Sequence, residues 1–233
     1  KKSLLWTRNW GVIELNILIV AVHPDDEVLG AGGTLLKEKS QGAKIEICYC
    51  TKGSKKDYGK EVLAEKHKEA EKAAKLLGCE KPFFLDFIAG ELNSIPASEI
   101  NKKLLEVVEA ARPDTVFIPH KGDLHTDHQA IFNACLVATR PGNKVKVSKV
   151  LSYETNSETE WSSPYENIFS PNLYIDITKT LDKKLNVLDV YKSERKEYPH
   201  PRSLNAVEFK AKARGSEIAV EVAEAFMLVR EIQ

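Results

Sequence analysis

The sequence predicts an α/β protein with a Rossmann-like, mostly parallel sheet flanked by helices, followed by additional C-terminal strands and helices. Three observations carry this. Leu15 to Val22 is an apolar, β-branched run with no polar face, the mark of a strand buried on both sides. Strand-like and helix-like segments then alternate at βαβ lengths. Two dense polar clusters, HPDDE at 23 to 27 and GDLHTDHQ at 122 to 129, follow the first and fourth strands, where such folds place their ligands.

The elements follow in order. After the first strand, Val28 to Gln41 has helix-forming composition and stops at Gly42. Ala43 to Thr51 reads as strand two. A polar loop, Lys52 to Gly59, leads into a long helix with Val62, Leu63, Ala70, Ala73, Ala74 and Leu77 near a 3.6 period, ending at Gly78. Pro82 to Phe87 is a short third strand. Ser98 is a candidate cap for a helix with Ile100, Leu104, Leu105, Val107, Val108 and Ala111 on one side, closed by Pro113. Thr115 to Pro119 is strand four, and Thr126 with Gln129 fits a capping box for the next helix. Lys144 to Thr155 and Asn172 to Ile177 read as strands around a polar, aromatic-bearing loop. Helices are expected over Thr178 to Tyr191 and Ala206 to Arg230, with Ser193 to Asn205 as a loop between them.

At 233 residues and 42% hydrophobic content, one core is expected, hence a single domain over 1–233 with residues 1–14 as an N-terminal extension. Lys plus Arg and Asp plus Glu both number 34, so no net field favours nucleic acid or anionic lipid, and a small-molecule partner is expected. Cys48, Cys50, Cys79 and Cys135 lack CxxC spacing and read as packed thiols. No run approaches the ~20 apolar residues of a membrane span, so no integral membrane segment and a cytoplasmic location are expected.

In a doubly wound sheet the first and fourth strands are commonly neighbours, so the two clusters should meet at the switch point. Alone, an Asp-Asp pair caps a helix and a His-x-x-His is a surface feature. Together, His23, Asp26 and His128 form a His2Asp set suited to zinc with an open position, although ferrous iron or another divalent metal also takes two histidines and a carboxylate.

The AVHPDDEVLGAGGTL segment at 21–35 resembles the signature of the PIG-L (LmbE-like) family of zinc-dependent sugar de-N-acetylases, and DLHTDH at 123–128 is similar to its second motif. Weaker likeness runs through KEAEKAAKLLG, YIDITKTLDKK at 174–184 and AEAF at 223–226. The resemblance implies a hydrolase that removes the N-acetyl group of an N-acetylated amino sugar. It implies His23, Asp26 and His128 as zinc ligands, Asp25 as general base, His125 as stabiliser of the developing oxyanion and Asp127 as the group orienting His125. Members of the family are often homo-oligomers; no interface signal stands out here. Ser54, Lys66 and the Tyr191-Lys192-Ser193-Glu194 run depart from the family pattern at substrate contacts rather than at the metal.

The loop around Trp161 and Tyr165 and the PHPRS stretch are candidate lids, with Trp161, His200 and Arg202 as substrate-binding residues: an aromatic face suits a sugar ring, and Arg202 suits a phosphate. Two rival readings are a nucleotide-binding module, from Gly30, Gly32 and Gly33 behind a strand, and a non-catalytic metal-binding protein. The GAGG spacing is not GxGxxG, and Asp25 has no purpose in a passive metal site.

Overall fold

The computed structural model describes residues 15–53 and 59–233, so the expected N-terminal extension and Ser54 lie outside the described residues. Strand β1 (Asn16–Ala21) runs into helix α1 (Asp26–Ser40), then β2 (Lys44–Lys52), α2 (Lys60–Leu77), β3 (Phe83–Ile88), α3 (Ala97–Ala111), β4 (Thr115–Ile118) and α4 (Thr126–Ala138). The C-terminal part adds β5 (Lys149–Tyr153), β6 (Leu173–Asp176), α5 (Leu181–Leu188), α6 (Leu204–Ser216) and β7 (Ala223–Glu231). The seven strands form one sheet in the order β3-β2-β1-β4-β5-β7-β6. Strands β1 to β5 pair in parallel, and β7 is antiparallel to both of its neighbours.

Period-2 alternation along β1 divides the core. Ile17, Ile19 and Ala21 face one layer with residues of α1 and α2, whereas Leu18, Val20 and Val22 face the other with residues of α3 and α4. Both faces of β1 are therefore covered, which is why its sequence is apolar throughout. Strand order reverses at β1, with β2 on one side and β4 on the other, so the expected switch point is present.

Several expectations change. The largest concerns Ala206 to Arg230, which is not one helix: α6 stops at Ser216 and residues 223–231 form β7. Apolar positions at 222, 226 and 229 fit a helical period, but this segment bonds along β5 on one side and β6 on the other, and tertiary pairing overrides the period. The break comes at Gly215, where a Cβ would lie 2.7 Å from the Val220 carbonyl, so the returning chain excludes any larger residue. Helix α4 is capped by the His125 side chain, not by Thr126, and Gln129 donates instead to the Asp123 carbonyl at 2.8 Å. Pro96, not Ser98, precedes α3. Strand β5 and helix α5 are shorter than expected, and α1 starts two residues earlier, at Asp26.

The C-terminal elements close over α1 through a buried ion pair. Lys184 of α5 contacts Glu224 of β7 at 2.6 Å and donates to the Leu29 carbonyl at 2.9 Å, while Glu224 accepts the Gly33 and Thr34 N–H groups at 2.9 and 2.7 Å. Lys184→Met leaves that carboxylate buried without its cation, and a loss of about 3–5 kcal/mol is expected. Urea unfolding checks it through a lower midpoint with an unchanged slope.

Glu154, just past β5, accepts two hydrogen bonds from Arg214 of α6 at 2.8 Å each. Burial pushes its carboxyl up, but the Arg214 hydrogen bonds and nearby Lys210 outweigh burial and hold it below the ordinary glutamate range. A depressed folded-state value stabilises the fold above the unfolded value and is lost as pH falls through the folded one. Arg214→Met should therefore lower stability at neutral pH, with the gap to wild type narrowing as pH falls through the range in which Glu154 is protonated, read from thermal midpoints between pH 3 and 7.

Candidate metal centre and active site

The chain leaves β1 through a turn that its own carboxylate closes. Asp26 Oδ2 accepts the His23 N–H at 2.7 Å, and the Asp25 carbonyl accepts the N–H of Leu29 at 2.9 Å to start α1. Between them Asp25 sits at φ 114°, a left-handed conformation that costs a non-glycine residue about 1–3 kcal/mol. Placing Asp26 and Glu27 in the first helical turn sets two acids against the positive end of the helix. All three acids are nonetheless buried, with exposures of 2%, 1% and 0%.

The second motif meets this turn from across the sheet. His128, in the first turn of α4, brings Nε2 to 3.3 Å from Asp26 Oδ2 and 3.3 Å from His23 Nδ1. His23, Asp26 and His128 thus offer three ligand atoms within 4.8 Å of one another. The set fits a divalent cation on two further observations. Asp26 Oδ1 is buried without a hydrogen-bond partner, and His128 Nδ1 is engaged at 2.8 Å by Asp123 Oδ2, which leaves Nε2 as the coordinating atom. Carboxylate support behind a ligand histidine is the usual arrangement at such centres.

Sequence reasoning missed Asp123. Its signal is a fully buried acid five positions before His128, legible only once the ring orientation is known. Asp127 also differs from expectation. Its carboxylate lies 3.4 Å from His23 Nε2 and accepts the Gly90 and Leu92 N–H groups at 2.6 and 3.2 Å. Only its backbone N–H reaches His125, donating to Nδ1 at 3.2 Å; the carboxylate is 3.9 Å away. That bond makes Nδ1 the acceptor and leaves the proton of neutral His125 on Nε2.

Electrostatics follows from burial and partners. The Asp26 carboxyl, which burial alone would raise, is held well below the ordinary range by His128 and then His23. Burial lowers His128, but Asp26 and Asp123 reverse this and raise it to about 10. Asp25 is raised well above the ordinary aspartate value by burial, with Arg202 opposing and Asp26 reinforcing. Burial and the neighbouring His23 push His125 down to about 4, so it is neutral. Glu27 is pushed up to about 7 by burial, against hydrogen bonds from Tyr191 at 2.5 Å and Tyr49 at 3.1 Å.

A cavity of about 290 Å³ opens onto this cluster, near the lower end of the ~300–1,000 Å³ typical of small-ligand sites. His23, Asp25 and His125 form its floor; Leu63, Ala70 and Phe84 form an apolar wall. Arg202 lines it, but its guanidinium is committed to Ser157 at 2.8 Å, Glu158 at 3.0 Å and Asp25 at 3.5 Å. Trp161 and His200 do not line the cavity; they pack edge to face with centroids 5.5 Å apart, and Trp161 is half exposed. His67 also lines it and packs on Phe84 with ring centroids 4.2 Å apart. The glycines behind the turn serve packing: a Cβ on Gly30 would fall 2.2 Å from the Tyr153 ring, and one on Gly33 2.7 Å from Ile177.

A doubly wound sheet carrying a His2Asp donor set and a separate buried carboxylate at its switch point is the layout of a Rossmann-like metalloenzyme. Residues 18–139, over half of the chain, match the PIG-L family model, described as GlcNAc-PI de-N-acetylase, and the chain belongs to that family. YaiS of Escherichia coli, described as an uncharacterized deacetylase, is 29% identical over 66% of this chain and 80% of its own length. The diacetylchitobiose deacetylase of Thermococcus kodakarensis is 26% identical over 76% of this chain and 69% of its own. Among solved structures, the N,N'-diacetylchitobiose deacetylase of Pyrococcus horikoshii in complex with an inhibitor superposes with a TM-score of 0.74 at 26% identity, covering 91% of this chain and 83% of that one. The fold by itself does not dictate this reaction: the 4-carboxy-2-hydroxymuconate hydratase GalB of Pseudomonas putida shares it at 19% identity and a TM-score of 0.74, over 94% of this chain and 98% of that one.

If His128 supplies a ligand, the purified protein should carry about one equivalent of divalent metal per chain, and His128→Ala should remove it. Elemental analysis after dialysis reads this directly, and a full complement in the variant overturns the assignment.

Proposed function

We propose that this protein removes the N-acetyl group of an N-acetylated amino sugar, releasing acetate and a free amine, with a divalent cation held by His23, Asp26 and His128. Zinc is the cation best suited to that donor set. When bound, it supplies Lewis acidity that activates water and polarises the amide carbonyl. The observation that carries the reading is Asp25: a buried carboxylate on the cavity floor, outside the His23–Asp26–His128 set, with Oδ1 unpartnered.

The roles follow from the residues. Asp25, raised by burial, is suited to take a proton from the attacking water and deliver it to the departing nitrogen. Arg202 beside it opposes that rise and favours the ionised carboxylate, the form that can accept a proton. His125, neutral and with its proton on Nε2, offers a donor to the oxygen that gains negative charge. Asp127 fixes that tautomer through its backbone N–H and holds His23 with its carboxylate. The apolar wall of Leu63, Ala70 and Phe84 suits an acetamido methyl and a sugar face, and the chitobiose deacetylase relatives support a glucosamine-type substrate. No helix among the described residues is long and apolar enough to cross a membrane, which suits a substrate met in water.

Asp25→Asn should retain its metal and lose acetate release by at least about a hundredfold. The assay measures acetate across N-acetylglucosamine, diacetylchitobiose, and nucleotide- and inositol-linked N-acetylglucosamine. Undiminished turnover in the variant removes Asp25 as the proton carrier, and no acetate from any of these with metal-loaded wild type overturns the sugar reading.

A further inference from the structure

The turn after β5 holds a hydrogen-bond chain that ends on Nδ1 of His128, the nitrogen opposite the one that faces Asp26 and His23. The Thr155 N–H donates to Thr159 Oγ1 at 2.8 Å. Thr159 Oγ1 in turn donates to Asp123 Oδ1 at 2.6 Å. The other oxygen, Asp123 Oδ2, accepts a hydrogen bond from His128 Nδ1 at 2.8 Å. With a carboxylate oxygen as its partner, Nδ1 is the donor in that bond, and Nε2 faces Asp26 and His23.

The same turn is rigid and reaches the other side of the site. Asp123, His128 and Thr155 are fully buried, and the Glu158 and Thr159 N–H groups return to the Thr155 carbonyl at 3.1 and 2.9 Å. The Leu124 N–H donates to the Glu158 carbonyl at 3.1 Å, locking the turn to the second motif. Ser157, at φ 71°, and Glu158 accept from Arg202, whose remaining nitrogen faces Asp25. A single short turn thus braces the metal-ligand side through Asp123 and the carboxylate side through Arg202.

We propose that Thr159 is a positioning residue of the metal centre, acting through Asp123 on His128. This rests on the reading of His23, Asp26 and His128 as the metal set. Without the hydroxyl, Asp123 Oδ1 has no donor in a buried site, and the carboxylate is no longer held at the angle that aligns the imidazole. Loss of such a support behind a ligand typically weakens metal affinity about 10–100-fold.

The test measures metal affinity, not turnover, by competing zinc against a chromophoric chelator, with cobalt substitution to report ligand geometry in the visible spectrum. Thr159→Val keeps the shape and removes both hydrogen-bonding functions; its affinity should fall about 10–100-fold with a shifted cobalt spectrum, and Thr159→Ser should restore both. A folded Thr159→Val chain with native affinity and spectrum overturns the proposal. Should that variant not fold, Asp123→Asn decides: native affinity there overturns the proposal, and weakened affinity alongside a native-like Thr159→Ser supports it. Wild type that binds no metal overturns the metal-set reading itself, and is distinguishable from either result.

Discussion

Three consecutive carboxylates buried on one turn are the constraint from which the site is built. Asp25, Asp26 and Glu27 are each almost fully removed from solvent, and a buried charge without compensation is costly. Asp26 and Glu27 are successive helical residues about 100° apart, and Asp25 precedes them at φ 114°, so the three point to different environments and each is compensated differently. Asp26 faces the histidines of both motifs and stays ionised. Glu27 points into the core, where two tyrosine hydroxyls and the Asp25 N–H surround it and its carboxyl sits near neutrality. Asp25 is left facing the cavity with Arg202 as its cation.

Those compensations explain why the C-terminal part of the chain is integral to the site. Tyr49 comes from β2, but Tyr191 follows α5 and Arg202 lies in the loop before α6. The carboxylates of a motif at residue 25 are therefore completed by side chains far along the sequence. Lys184 and Glu224 hold the same region onto the middle of α1, and Thr180 Oγ1 adds a bond to the Gly33 carbonyl at 2.8 Å. His128 is raised to about 10 between two carboxylates, so a cation at the proposed site would compete with a proton there.

What the sequence made legible was local in origin. The two motifs, β1 and the switch point could be read because burial on both faces and strand-end polarity leave contiguous marks. What was not legible depended on partners distant in sequence. Val222 to Arg230 fits a helix until the open sides of β5 and β6 are known to lie beside it. Asp123 is one acid among many until the His128 ring is oriented, and Trp161 with His200 reads as a sugar platform until their pairing is seen to lie off the cavity. Arg202 was found for its charge, but its fork is occupied by protein acceptors, which favours a role beside Asp25 over capture of a phosphate.

The turn after β1 also shows how one fold position is converted from one ligand class to another. In dinucleotide-binding sheets the first helix presents its N-terminus to a pyrophosphate through a glycine-rich approach. Here the anion at that helix end belongs to the chain: Asp26 sits in the first turn of α1 and accepts the His23 N–H. The glycines that follow are consumed by contacts with Tyr153 and Ile177, and Tyr153 in turn donates to the Val20 carbonyl at 2.7 Å, tying α1 and β5 to β1. A phosphate approaching this end would meet two further acids and no free backbone cradle. A cation would meet an ionised carboxylate and two imidazoles, each backed by its own aspartate, Asp123 behind His128 and Asp127 behind His23. The same electrostatics that would repel a nucleotide makes the end of β1 a place for a metal ion.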